Sequence, residues 1–198
     1  MRTLGKAAIL LFAGVLALAG CGGDAPRFKS SDVTGAGFGR SFSLVDHTGK
    51  PRTLADFRGK AVVMFFGYTQ CPDVCPTTLA TLAQMQKELG QDAAKVQVLF
   101  VTVDPERDTA ELLANYVTAF DPSFLGLRGD ADATARIAKE FKILYQKQPG
   151  RTPDSYTVDH SAGSFVFDPE GRLRLYVGNG QGADVFVHDV RALLRASG

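Results

Sequence analysis

Cysteine and histidine are both scarce, with three of each in 198 residues. Three cysteines cannot build the multiply bridged scaffold of a small secreted domain. Charge of one sign is also lacking: the formal net charge is +1, with no basic tract and no interleaving of aromatic and basic residues, which argues against nucleic-acid binding. There is one long apolar run, from Ala7 to Ala19, so nothing suggests a multispan membrane protein. No internal repeat occurs. With 45% hydrophobic and 22% charged residues, the composition suits one globular domain plus an appendage.

The apolar run follows Arg2 and Lys6 and contains no acidic residue, the pattern of a secretory signal too short to span a membrane comfortably. It ends Leu18-Ala19-Gly20-Cys21, which resembles the bacterial lipobox, where small residues precede a cysteine that is lipidated and becomes the mature N-terminus. The expectation is a lipoprotein signal peptide over 1–20, lipidated Cys21, a flexible Gly/Ser/Asp-rich tether over 21–39 and a folded domain over 40–198. The protein would then sit on the extracytoplasmic, periplasmic face of a bacterial inner membrane. Lipidation of Cys21 leaves one pair, Cys71 and Cys75, whose loop is too short to stabilise the fold much as a disulfide. Outside the reducing cytosol, such a pair suits redox exchange or metal capture.

Hydrophobic patterning places strands at Ala61–Phe66, Val96–Val103, Phe124–Leu127 and Leu144–Gln148, and a hairpin at Ser164–Phe167 and Leu173–Val177. A short helical turn is expected at Thr53–Phe57, with helices over 76–89, 108–120, 132–141 and 183–195. The Val96 run is apolar almost throughout, as in a strand covered on both faces. Leu112, Leu113, Tyr116 and Phe120 should share one helix side, with Asp108 or Thr109 as the cap. The class is α/β, a central mixed sheet flanked by helices with an inserted or terminal β-hairpin.

The stretch Gly67-Tyr68-Thr69-Gln70-Cys71-Pro72-Asp73-Val74-Cys75-Pro76 joins the first buried strand to a helix. Pro76 is a natural first helical residue, with Cys75 just outside. Unpaired N–H groups and the positive end of the helix dipole would favour thiolates there. The arrangement resembles thioredoxin, with one more residue between the cysteines. Two converging sulfurs suit Cu(I) or a disulfide, and a metal site would need a third ligand, most simply an imidazole. His47 lies in a turn and His188 in the last helix, where both read as structural or solvated residues. His160, before the hairpin strand, is either a satisfied structural residue or a ligand; spacing does not separate the two. Asp104 reads as a turn former, with an alternative role near the metal or behind His160. Asp159, adjacent to His160 on extended chain, points away from it, and Tyr68 and Phe66 read as wall and core.

The cysteine stretch, then Val103-Asp104-Pro105-Glu106-Arg107-Asp108-Thr109, then Val158-Asp159-His160, resembles the Sco/SenC family of thioredoxin-like copper proteins, over essentially the whole domain from Ser41. The resemblance implies that Cys71, Cys75 and His160 bind one copper ion, Cu(I) or Cu(II). It also implies a metallochaperone role towards the CuA-bearing subunit of cytochrome c oxidase, with other periplasmic copper chaperones as further partners. The alternative is a thiol–disulfide oxidoreductase using Cys71 and Cys75 as its catalytic pair on the CuA-site cysteines. A peroxidase reading is weaker, because the cysteine loop contains no arginine.

Overall fold

A computed structural model describes residues 26–152 and 155–197; the signal segment and Cys21 lie outside these. The strands are β1 (Ser31–Asp32), β2 (Leu44–Asp46), β3 (Pro51–Arg52), β4 (Ala61–Gly67), β5 (Val96–Thr102), β6 (Leu125–Arg128), β7 (Tyr145–Pro149), β8 (Tyr156–His160), β9 (Ser164–Phe167) and β10 (Leu173–Val177). The α-helices are α1 (Val74–Leu89), α2 (Ala110–Thr118), α3 (Ala131–Glu140) and α4 (Ala183–Ala196). Eight strands form one sheet in the order β1-β10-β9-β4-β5-β6-β2-β3, with β4, β5 and β6 parallel and the other pairings antiparallel.

Strand β4 shows why the sheet sits between two layers. Successive side chains on a strand point to opposite faces. Val63 and Phe65 pack with Leu79, Leu82, Phe186 and Val190, from α1 and α4. Val62, Met64 and Phe66 pack on the other face with Ile137 and Phe141 at α3 and with Leu54 and Phe57 of the short 3₁₀ turn. Every residue of β4 and β5 is buried, as a continuous apolar run implies for strands covered twice. No helix among the described residues is long and apolar enough to cross a membrane.

Four differences from the sequence expectations matter. Helix α1 begins at Val74, so Cys75 lies inside its first turn and not before it. Pro76 is tolerated there because the first helical N–H groups have no intrahelical acceptor to lose. The second is an unanticipated strand, β8, which ends at His160 and pairs with β7 in a separate two-stranded sheet. The third is Leu112, which is exposed while Leu113 and Val117 are buried, because α2 turns only part of its apolar side to the sheet. Thr109 is the α2 cap, accepting from the Leu112 amide.

The fourth concerns the segment read as a free tether up to Gly39, part of which is built into the fold. Ser31 and Asp32 pair with β10, and Val33 donates its amide to the Arg174 carbonyl at 2.8 Å. Buried Asp189 of α4 accepts the Lys29 amide at 2.8 Å, the Ser30 amide at 2.9 Å and the Ser30 hydroxyl. Burial alone would push this carboxyl up; the Ser30 hydroxyl, His188 and the two amides outweigh it and hold it below the usual carboxylate range. Asp189→Asn should therefore destabilise the protein by about 1–3 kcal/mol and speed amide exchange at Val33. The Asp189 contribution is present above the ordinary carboxylate range and is lost as pH falls through the depressed value, which a denaturation series against pH will read.

Candidate metal centre

The cysteine loop leaves the carboxyl end of β4, the position where open α/β sheets place ligands. Within it, Cys71 donates its amide to the Tyr68 carbonyl at 3.2 Å. The Cys71 sulfur in turn accepts the Cys75 amide at 3.4 Å, so one sulfur caps a first-turn donor of α1. The loop is pinned from the turn after β5: buried Asp108 accepts the Thr69 amide at 3.1 Å, the Thr69 hydroxyl at 2.6 Å and the Thr102 hydroxyl. Burial pushes the Asp108 carboxyl above its ordinary value, against the pull of those donors.

Cys75 is fully buried and Cys71 half-buried; both are free thiols. The Cys75 sulfur lies against the backbone of Gly67, where a Cβ would come within 2.5 Å of it and 2.9 Å of the Phe100 ring. Only glycine at the end of β4 lets the sulfur approach this closely. Gly163, between His160 and β9, likewise admits a close neighbour, since a Cβ there would run into the Tyr176 ring.

His160, on β8, brings its Nε2 to 3.4 Å from Cys75 Sγ. Its ring stands edge-on to Tyr68 and Phe65, with centroids 5.9 and 6.2 Å away. Nδ1 lies 3.0 Å from the Ser161 carbonyl, which can only accept, so Nδ1 carries the hydrogen and Nε2 presents its lone pair to the sulfur. Burial lowers the His160 pKa, and the Ser161 carbonyl and Asp159 only partly offset it, so the ring favours the neutral, ligating form. The expectation that the helix start would favour a thiolate fails at Cys75. Burial, then the neighbouring Cys71, push that thiol far up, because desolvation there outweighs the single backbone contact from Tyr68. Without metal, the Cys75 thiol is placed to donate its hydrogen to Nε2.

The donor atoms of Cys71, Cys75 and His160 all lie within 4.8 Å of one another. Asp104 is not in this group. Its oxygens accept from Arg107 Nε and, at 2.8 Å, from the Tyr156 hydroxyl. Asp159 accepts from Gln148 and does not orient His160. His47 accepts the Gly126 amide at 3.1 Å, and His188 pairs with Asp189 at 2.8 Å, so both serve the fold. Tyr68 holds more than the wall assigned to it, because its hydroxyl accepts the Val158 amide of β8 at 3.2 Å.

The SCO1/SenC family model matches residues 31–195. The chain belongs to the SCO1/SenC family. It is 40% identical over 157 residues to the mouse mitochondrial SCO2 homolog, covering 78% of this chain and 62% of that protein. It is 36% identical over 142 residues to the human mitochondrial SCO1 homolog, covering 71% and 47%. The chain thus spans about half to three fifths of these curated relatives. Among solved structures, copper-bound ScoI of Bradyrhizobium japonicum matches at 36% identity and a TM-score of 0.73, covering 79% of this chain and 99% of that one. Apo Sco1 of Thermus thermophilus matches at 40% identity and a TM-score of 0.73, covering 86% and 99%. The match begins at residue 31, where β1 joins the sheet, and so includes part of the segment read from sequence as tether.

Gly67→Ala should cost about 1–3 kcal/mol through overpacking, with the loss read by denaturant unfolding. The same variant should displace the Cys75 sulfur from Nε2, visible as a shift of the His160 ring resonances.

Proposed function

We propose that this protein is a copper carrier. Cys71, Cys75 and His160 hold one ion and pass it by ligand exchange to the CuA-bearing subunit of cytochrome c oxidase, with other periplasmic copper chaperones as further partners. The convergence of two sulfurs and one neutral imidazole within 4.8 Å carries this reading. Thiolates favour Cu(I) and the imidazole keeps Cu(II) accessible, so this donor set accepts both states. The copper-bound ScoI of Bradyrhizobium japonicum and the copper-bound yeast Sco1, 31% identical, support the choice of metal. Copper is cargo here: the chain supplies a three-donor cradle, buried at Cys75 and open at Cys71, where a partner's ligands can enter. A lipid on Cys21, at the outer face of a bacterial inner membrane, would keep the carrier close to a membrane-bound partner. A SCO1/SenC family lipoprotein of Bacillus anthracis, 25% identical with a TM-score of 0.66, supports the lipid anchor.

Copper titration of the reduced protein should saturate at one ion per chain. Binding must expel the Cys75 proton, so it should release protons and strengthen as pH rises. Cys71→Ser or Cys75→Ser should abolish tight binding. His160→Ala should weaken it by at least about tenfold, since losing a mere outer partner of a ligand already costs 10–100-fold. Unchanged affinity in all three variants would overturn the proposal.

The unequal exposure of the two sulfurs supports thiol–disulfide exchange as a second reading. Cys71, half-exposed at the mouth, would attack a partner disulfide and displace one partner thiolate. Buried Cys75, giving up its proton, would then attack the Cys71 sulfur and release the second partner thiolate. Two electrons pass to the partner and Cys71–Cys75 closes as a disulfide. Cys75→Ser should trap a mixed disulfide through Cys71, detectable by mass spectrometry, and turnover should survive His160→Ala. Failure of both would remove this reading.

A further inference from the structure

Strand β8 carries His160 yet has no strand of the main sheet beside it. Among the described residues, two hydrogen bonds from the main fold reach its backbone, and both come from side chains. One is the Tyr68 hydroxyl on the Val158 amide; the other is Arg107, whose Nη1 donates to the Tyr156 carbonyl at 2.9 Å. The same nitrogen donates to Gln70 Oε1 at 3.1 Å, next door to Cys71. Nε of the same guanidinium pairs with buried Asp104, and its Cζ lies over the Tyr156 ring, 3.5 Å from the centroid.

Arg107 therefore touches three parts of the chain at once: the cysteine loop, the turn after β5 and the start of β8. A guanidinium is a flat, rigid fork whose donors keep fixed directions, unlike the single point charge of a lysine. Tyr156, Val158 and His160 alternate onto one face of β8, so where Tyr156 is held decides where the imidazole comes to rest. We propose that Arg107 is a positioning residue that sets the span between the sulfur pair and the His160 ring. It does so without touching the metal. This rests on the copper reading above for its consequence, but not for its geometry. A metal site is sensitive to such support, since ligands must be held within about 0.5 Å of productive geometry.

Arg107→Ala, Arg107→Lys and Gln70→Ala should be compared with the parent protein by two measurements. In the metal-free protein, the His160 ring-proton shifts report its placement beside Tyr68 and Phe65. In the Cu(II)-loaded protein, affinity and nitrogen coupling in the spin-resonance spectrum report its engagement. Both Arg107 variants should move the His160 signals towards solvent-exposed positions and weaken copper binding by about tenfold or more. Lysine should not rescue, because it can keep the ion pair with Asp104 but not the stacking and the fixed fork. Gln70 is exposed, so Gln70→Ala cuts one arm without threatening the fold and should give a smaller change in the same direction. Unchanged His160 shifts with copper affinity within about twofold of the parent in the Arg107 variants would overturn the proposal. If those variants do not fold, the same null result in Gln70→Ala overturns it. Failure of the parent itself to bind copper would instead sink the carrier reading, and the His160 shifts would still decide the role of Arg107.

Discussion

The 3.4 Å approach of Cys75 Sγ to His160 Nε2 joins two pieces of chain that share no sheet. Its chemistry follows from burial on both sides. Removing water raises the cost of a thiolate at Cys75 and of an imidazolium at His160, so each group favours its neutral form. In the copper-carrier reading, a soft cation bound there would take the place of the Cys75 proton.

Two kinds of support hold the contact in place. On the sulfur side the support is rigid: fully buried β4 ends at Gly67, whose missing Cβ makes room for the sulfur, and Asp108 ties the following loop to the end of β5. On the imidazole side the support is a two-stranded arm, held to the main fold by the Tyr68 hydroxyl and the Arg107 guanidinium. Rings of Phe65 and Tyr68 close over the histidine and limit access by water. Cys71, at the rim, remains the sulfur a partner can reach. An unequal pair of this kind would suit either of the two proposed exchanges.

Much of the main sheet was legible in the sequence, because unbroken apolar runs at Ala61 and Val96 and the turn at Asp168–Gly171 leave few alternatives. The hairpin Ser164–Phe167 and Leu173–Val177 has the boundaries expected. Strand β8 was not legible: Tyr156–His160 has only five residues, two of them apolar, so its pairing with β7 supplies most of what makes it a strand. The anchoring of Lys29 and Ser30 was equally hidden, because Asp189 lies 160 and 159 residues away, respectively, and looks like any helix-face carboxylate.

By itself the sequence determined the strand–loop–helix that brings Cys71 and Cys75 together, since a buried strand, a proline-rich turn and an amphipathic helix are local matters of pattern and backbone sterics. It also supplied, through three motifs in family order, the identity of the third candidate donor. Only the tertiary structure decided which ring nitrogen faces the sulfur, which thiol is buried, and that Arg107 and Asp108 brace the site. These outcomes depend on desolvation and on hydrogen bonds between residues far apart in the chain, and such quantities have no value until the fold has closed.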